Sequence, residues 1–399
     1  MTLVTLSAIF LYSAFGLYSI ATIMFGLSFK DKETNKKKSL TGTIAIWLTI
    51  IGLASQIGYF VTRWIVSGHA PISNMFEFMT FLGMSIVLAF IVIYFIYRLN
   101  VLGLFALPIA LIIIAYASMF PREISPLVPS LQSPWLPIHV STVSLSQGIL
   151  GISFVAGLIY LIRQIDQSVR SKKTFWLETI LFTLFVFVGF IVMTTTFKIM
   201  DYQAVFEVDV MELGQERTVM MEYNLPAIAG PADGTLLTEG KLDGIISTPS
   251  WMQGKDAPTK FNTLIWSIIA GSIFYILTRL ILRKRIGAAI QPHLMKTKPD
   301  LLDEITYRAI AIGFPLFTLG GLIFAAIWAQ IAWDRFWGWD PKEVWALVTW
   351  FFYAAILHLR LSRGWHGEKS AWLAVIGFAI IMFNLIVVNL VLAGLHSYA

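Results

Sequence analysis

Ten apolar runs, each long enough to cross a membrane as a helix, constrain this chain more than any other feature. The sequence has 399 residues, of which 57% are hydrophobic and 13% charged. A helix needs about 20 apolar residues to span the hydrocarbon core of a bilayer. We therefore predict an all-α polytopic membrane protein, with spans at residues 3–29, 41–66, 75–97, 101–120, 138–162, 175–197, 262–282, 308–330, 343–362 and 371–395.

The basic residues predict how these spans are oriented. Because the spans alternate in direction, one orientation assigns a side to every loop, and 20 of the 29 Lys and Arg residues then fall on one side. The positive-inside rule makes that side cytoplasmic. The net charge of +6 is therefore explained by membrane orientation, and no nucleic-acid partner is expected. Both termini are expected outside, and a bacterial cell membrane is the expected location.

The spans are interrupted by one large polar segment, residues 198–260, which we call the cap. Residues 204–212 and 216–223 alternate apolar and polar side chains, a pattern typical of a small hairpin. The cap is therefore expected to be an extracytoplasmic loop domain with some β character. It contains no His, and we assign it no chemistry. The chain is expected to divide into the first six helices, the cap and the last four helices, at residues 1–197, 198–260 and 261–399.

A cluster of tryptophans lies at the predicted outer ends of the eighth and ninth spans. We call residues 328–345 the tryptophan loop, and it contains five Trp, at positions 328, 333, 337, 339 and 345. Tryptophan is enriched at bilayer interfaces, so membrane anchoring is one interpretation. The Gly338 between two indoles and the polar sequence after them favour another, a surface that binds a large planar aromatic ligand.

The end of the tryptophan loop has the sequence pattern of a helix start. Asp340 is followed by Pro341 and Glu343. This spacing predicts a capping box, in which Asp340 accepts a backbone N–H and Pro341 occupies the first helical position. Capping is the expected main role of Asp340, and it fixes where the aromatic surface stops.

The chain contains no cysteine. Its own residues therefore cannot exchange disulfides, form a thioester or hold an iron–sulfur cluster. Any thiol in its reaction comes from a partner or a substrate.

The six histidines separate by depth. His69, His139 and His396 lie at the predicted outer surface with the tryptophans. His358 lies roughly 22 Å below Glu343, counting 1.5 Å per residue. Two imidazoles that flank an aromatic surface suit an iron porphyrin, whose carboxylates could pair with Arg335 and Lys342. The alternative is that each outer His is a hydrogen-bonded interfacial residue. His358 either bonds a neighbouring helix or binds haem with a ligand from a second chain, because the outer histidines are too far away.

Glu77 is an ionisable residue at the start of the third span. Such residues are often functional. A Glu in the first turn of a helix is also stabilised by the helix dipole, and the sequence leaves both interpretations open.

The residues of the tryptophan loop resemble the WWD signature of haem-handling proteins. The chain as a whole resembles the CcsA/ResC family of System II cytochrome c biogenesis proteins. The resemblance rests on segments in the family's order: Ser67-Gly-His69-Ala-Pro-Ile-Ser-Asn74, His139-Val-Ser, Gly313-Phe-Pro-Leu-Phe-Thr-Leu-Gly320, Leu357-His358-Leu-Arg360 and Gly394-Leu-His396-Ser-Tyr398.

This resemblance implies a complex that moves haem b outward and attaches it to Cys-x-x-Cys-His of apocytochrome c. The complex would include a CcsB/ResB-type partner and act as a holocytochrome c synthase. His139 and His396 would be the axial ligands of an external haem, and His358 would bind a haem inside the membrane opposite a partner His. The external haem would lie beside the tryptophan loop residues Trp333, Arg335, Trp337, Trp339, Asp340 and Trp345.

Three alternatives to this function stay open. The protein could carry haem, as an exporter or chaperone, without a part in thioether formation. It could be a System I relative that loads haem onto a separate chaperone, although the order of the His residues and the tryptophan loop favours System II. It could also be a transporter of another class, with the tryptophans as an interfacial belt.

Overall fold

The fold is helical, as predicted, in a computed structural model of the chain. The structure describes residues 2–31, 39–124, 126–127, 129–212, 215–249, 252 and 257–388. Ten helical segments among these residues are long and apolar enough to cross a membrane. The helices are α1 Leu3–Asp31, α2 Leu40–Ser67, α3 Met75–Tyr97, α4 Asn100–Ala117, α5 Trp135–Gln164, α6 Lys172–Ile199, α7 Ala257–Leu282, α8 Ile286–Leu294, α9 Pro299–Phe317, α10 Ala325–Trp333, α11 Pro341–Arg363 and α12 Glu368–Phe383.

The predicted span boundaries that fall on described residues hold to within a few residues, with one larger exception. The predicted end of the tenth span, at residue 395, lies outside the described residues. The eighth span was expected to begin at residue 308, but α9 begins at Pro299. It continues through a π-helix, Thr318–Phe324, into α10. A second π-helical segment, Asn384–Val388, follows α12. The early start of α9 adds nine residues, about two and a half turns. These turns contain Asp300, Asp303 and Glu304, so hydropathy alone does not assign them to the span.

One compact unit contains the described residues of 1–165 and 291–384. Its centre is α5, where 83% of the residues in an apolar 18-residue stretch are buried. Small residues bring the neighbouring helices close to α5. A Cβ at Gly148 would lie 2.6 Å from the Ser85 carbonyl carbon, and one at Gly157 would lie 3.0 Å from the Ala371 carbonyl oxygen. Helix α5 is therefore closely packed, and it holds its own first residues, which include His139, in a fixed position.

An ion pair joins three helices of this unit at the end opposite the tryptophan loop. Arg360 of α11 donates to both carboxylate oxygens of Asp303 in α9, at 2.9 and 2.7 Å. Arg360 also donates to Ser370 of α12 at 3.1 Å, and the Gly367 N–H donates to Asp303 at 2.9 Å. The guanidinium lies over the Tyr307 ring at 4.5 Å. We call this group the ion-pair clamp.

The second compact unit contains the described residues of 166–290, with Leu385–Val388. In it, α6 packs against α7 through facing glycines, because a Cβ at Gly189 would lie 2.5 Å from the Gly271 nitrogen. The cap connects these two helices. Its strands are β1 Ala204–Glu212, β2 Gln215–Tyr223, β3 Ala227–Gly230, β4 Thr235–Leu236 and β5 Asp243–Ser247.

The cap contains the predicted hairpin. Strands β1 and β2 pair antiparallel from Ala204↔Tyr223 to Glu212↔Gln215, and β4 pairs with the other edge of β1. Strands β3 and β5 pair in parallel. Phe206 and Tyr223 fill a small apolar core. The cap is joined to α7 by Asn262, whose Oδ1 accepts the Ile228 and Ala229 N–H groups at 2.9 and 3.1 Å.

The division of the chain at residues 197 and 260 stays a prediction. The two compact units are defined by contacts between residues, and each combines segments from different parts of the sequence. Residues 389–399, and His396 with them, lie outside the described residues.

Candidate functional site

The tryptophan loop contains the end of α10, a short non-helical turn and the start of α11. Helix α10 ends at Trp333, and Asp334 adopts the left-handed conformation with φ of 54°. The Gln330 amide donates to the Asp334 carboxylate at 3.1 Å. Residues 334–340 then form the turn, and α11 begins at Pro341. Two helix ends therefore fix the position of the turn.

Glu343 and Asp340 shape this turn. The Glu343 carboxylate accepts the N–H groups of Gly338 and Asp340, at 2.7 and 3.2 Å. The buried Asp340 side chain accepts the Lys342 N–H at 3.2 Å. The predicted capping box is confirmed. Glu343 also reaches back to Gly338, which the sequence pattern did not reveal, so one carboxylate holds the whole turn.

His139 is held between the π-helix and α10. Its Nδ1 lies 2.8 Å from the carbonyl oxygen of Gly320. Its ring stacks on Trp328, with 5.8 Å between the centroids and 8° between the planes. Trp328 is buried and also packs against Trp333, at 4.7 Å between ring centroids. Trp328 is one of the five indoles of the predicted aromatic surface, but its contact with His139 was not predicted, and neither was that of Gly320. The glycine pair inside an apolar span was the only local signal.

Two indoles of the turn form a second group. The ring centroids of Trp337 and Trp339 are 6.0 Å apart, with the planes at 85°. Trp339 has φ of 59° and is 70% exposed. The Trp337 Nε1 is buried and has no hydrogen-bond partner among the described residues. The exposed Arg335 lies against the backbone of Gly338, because a Cβ there would be 2.7 Å from the guanidinium carbon.

Trp345 forms a third group with α12. Its ring lies 4.4 Å from that of Phe383. One turn further along α11, the Trp350 Nε1 donates to Thr318 of the π-helix at 2.9 Å. The predicted site residues from His139 to Trp345 therefore lie on α5, α10, α11 and the turn of one compact unit.

His358 lies elsewhere on α11. Its side chain is exposed on the surface of the described chain, and no described residue hydrogen bonds to its ring. The proposed bond to a neighbouring helix is thus not made within the described residues. The other predicted ligand, His396, lies outside them.

Glu77 has a structural environment. It is 1% exposed, and its Oε1 accepts Arg63 Nε at 2.7 Å. Its Oε2 accepts both the N–H and the hydroxyl of Ser73, at 3.0 and 2.8 Å. Glu77 therefore fixes the connection between α2 and α3, through a partner, Arg63, that neither interpretation of its sequence position included. His69 in the same connection contacts the carbonyl oxygen of Ala70 through Nδ1 at 3.1 Å.

The tryptophan loop region suits a flat aromatic molecule that has a metal and carboxylates. An imidazole with a fixed ring plane can bind a metal. The exposed Trp339 indole offers an apolar face, and the Trp337 N–H is a buried donor that needs an acceptor. Arg335 adds a cation that can pair with a carboxylate.

Comparison with known proteins assigns the chain to a family. The model of the cytochrome c assembly protein family matches residues 72–199 and 263–396, which together make up more than half of the chain. The matched ranges leave out 200–262 and so most of the cap.

Three curated relatives are named cytochrome c biogenesis protein CcsA. The protein of Gloeobacter violaceus is 28% identical over 390 residues, 97% of this chain and 94% of its own length. Those of Microcystis aeruginosa and Rippkaea orientalis are each 29% identical over 361 residues, 90% of this chain and 87% of theirs. The expected membership of the CcsA/ResC family is confirmed. The chain is a multi-pass membrane protein that belongs to the cytochrome c assembly protein family and acts in cytochrome c maturation.

Proposed function

We propose that this chain carries haem b outward across the membrane and presents it for covalent attachment to apocytochrome c. Haem is the substrate in this proposal. The observation that supports it best is the environment of His139, whose ring is restrained by Gly320 and by stacked Trp328. A fixed imidazole beside an indole surface is what a haem-presenting site requires.

The described residues offer a partner for each part of haem. His139 would bind the iron on one face, and His396 is the proposed ligand on the other. Trp337 and Trp339 would pack on the macrocycle. The Trp337 N–H and Arg335 would meet the propionates, because both are donors and a propionate is an acceptor.

The chemistry of attachment would come from the two substrates. In each thioether bond, a cysteine S–H of the apocytochrome adds across a haem vinyl group, with sulfur and hydrogen bonding to its two carbons. The chain has no cysteine and would not supply the thiol. Its contribution would be proximity and orientation, which can lower a barrier by about 7–11 kcal/mol in well-oriented cases.

His358 would serve a haem inside the membrane, before transfer to the external site. Its exposed ring on α11 is consistent with a ligand that is completed by another chain. We assign the opposite ligand to a His of a CcsB/ResB-type partner. In the proposed orientation, the tryptophan loop, the cap and both termini are extracytoplasmic, in a bacterial cell membrane.

Reconstitution tests the proposal. The purified chain and its partner are incorporated into vesicles with haem, a reductant and an apocytochrome that contains Cys-x-x-Cys-His. We expect haem that stays on the cytochrome after denaturation and acid–acetone extraction. Bound haem without thioether product would instead identify an exporter or chaperone. A purified complex without a Soret band would contradict haem binding altogether.

A further inference from the structure

The π-helix places a backbone carbonyl against His139. The Gly320 oxygen accepts the N–H of Ala325, five residues further along. It also lies 2.8 Å from His139 Nδ1. A carbonyl has two lone pairs and can accept both bonds, but it cannot donate. His139 Nδ1 therefore carries the proton in this contact, and the lone pair of the neutral ring is on Nε2.

Direct backbone contact sets the distance between this carbonyl and α5. A Cβ at Gly320 would lie 2.7 Å from the Val143 nitrogen and 3.0 Å from the Thr142 carbonyl carbon. Only glycine permits such an approach, since no flexible side chain could move aside. Val143 is one turn along α5 from His139. The position of the acceptor relative to the imidazole is thus fixed by two rigid elements.

Two further contacts restrain the His139 ring and the π-helix. Trp328 stacks on the His139 ring at 8° between the planes. Thr318, at the start of the π-helix, accepts the Trp350 indole N–H at 2.9 Å. π-Helices are rare and often occur at functional sites. Here the π-turn joins the imidazole on α5 to an indole on α11.

We propose that Gly320 is a positioning residue for haem: its carbonyl fixes the tautomer and ring plane of His139, so that Nε2 binds the iron. This inference rests on the proposed function. A hydrogen bond to the second nitrogen makes a histidine ligand more basic and orients it. A more basic ligand favours ferric iron, so this contact lowers the reduction potential of the external haem.

The first test compares two neighbouring glycines in the full-length protein with His358→Ala, so that the spectrum reports the external haem. Gly320→Ala forces the π-helix away from α5. We expect about a tenfold loss of haem affinity in titrations followed by the Soret band. The haem that remains bound is expected to have a raised reduction potential. Gly321→Ala is the matched control, since the nearest atoms to its Cβ would belong to the ring of Phe317 at the end of α9, at 3.1 Å, and not to the backbone of α5.

A second variant tests the hydrogen bond between His139 and Gly320 and leaves Gly320, which packs against α5, unchanged. Replacement of His139 by Nδ1-methylhistidine removes the proton that Gly320 accepts and keeps Nε2 as a ligand. We expect bound haem with a raised potential and a changed low-spin EPR spectrum. This variant tests the role of the Gly320 carbonyl even if the Gly320→Ala protein does not accumulate. An unchanged potential and affinity would overturn the inference, as would haem binding through Nδ1.

The outcomes separate this inference from the proposed function. If His139→Ala keeps the wild-type haem spectrum, the proposed external site is wrong. If His139→Ala loses the haem while the methylhistidine variant matches the wild type, only the role of Gly320 is wrong. A purely structural Gly320 would lower the folded yield and leave the potential of the bound haem unchanged.

Discussion

The two ends of α11 use polar groups in opposite ways. At the Arg360 end, the ion-pair clamp satisfies both oxygens of Asp303 within the protein. At the Trp345 end, the Trp339 indole and the Arg335 side chain are exposed, and the Trp337 N–H is buried without an acceptor among the described residues. Both ends belong to the same compact unit. The two ends differ in whether their buried polar groups have hydrogen-bond partners. The amino-acid composition of the two ends does not show this difference.

This difference separates groups that hold the fold from groups that await a ligand. Burying a polar group without a partner costs free energy, so proteins rarely leave one. The ion-pair clamp needs nothing more. Other buried side chains of the described chain, Tyr223 and Tyr353 among them, also lack a hydrogen-bond partner. In the tryptophan loop the unsatisfied donor occurs together with the exposed Trp339 and Arg335, and this combination supports its assignment as the binding site. The following predictions test that contrast, from the largest expected effect to the smallest.

His139→Ala is expected to abolish external haem binding and cytochrome c formation, because the proposed iron ligand is removed. Added imidazole is expected to restore part of both. Soret absorbance and the yield of holocytochrome measure the effect. His293→Ala, on α8, is the control and is expected to match the wild type. Wild-type spectra and yield in His139→Ala would refute the ligand assignment.

Arg360→Ala is expected to lower the free energy of unfolding by about 1.5–3 kcal/mol, because the partly buried Asp303 loses its charged hydrogen-bond donor. The midpoint of thermal unfolding in detergent measures the loss. Arg308→Ala breaks an exposed pair with Glu304. This control is expected to cost less than about 0.5 kcal/mol. Equal losses in the two variants would show that the ion-pair clamp is not specially stabilising.

Trp337→Phe is expected to weaken haem binding by about tenfold, because it keeps an apolar ring and removes a donor to a charged acceptor. Haem titration of the purified protein measures the change. Trp47→Phe, at an exposed position on α2, controls for general effects of losing an indole. If Trp337→Phe binds haem as tightly as the wild type, the buried N–H is not a ligand contact.

Asp340→Ala is expected to lower the free energy of unfolding by about 1 kcal/mol, because it removes the N-cap of α11. Asp340→Asn is expected to keep most of that stability, since Asn is also a good capping residue. Thermal unfolding of both variants in detergent measures the difference. A full loss in Asp340→Asn would show that the charge of Asp340 matters more than its cap.

The sequence predicted the features that depend on local pattern. Hydropathy located the ten spans, alternation located the hairpin of the cap, and the spacing of Asp340 and Glu343 predicted the capping box. The π-helix had no such signal, because a hydrogen bond shifted by one residue leaves the apolar pattern unchanged. The contact between His139 and Gly320 joins residues 181 positions apart, and only tertiary structure reveals it.

Glu77 is a second residue whose contacts the sequence did not predict. Its position in the first turn of α3 was evident, but its partner Arg63 lies on the preceding helix. No short-range pattern distinguishes a paired carboxylate from a catalytic one.

The cap occupies a place where the chain tolerates change in length. Helices α6 and α7 already pack on each other through Gly189 and Gly271, so their pairing does not depend on what connects them. The entropy cost of closing a connection grows only slowly as residues are added. Related proteins can therefore lengthen, shorten or replace this connection during evolution while the helical pair persists. A version with a short polar turn between residues 199 and 257 is a practical starting point for studying the helices alone.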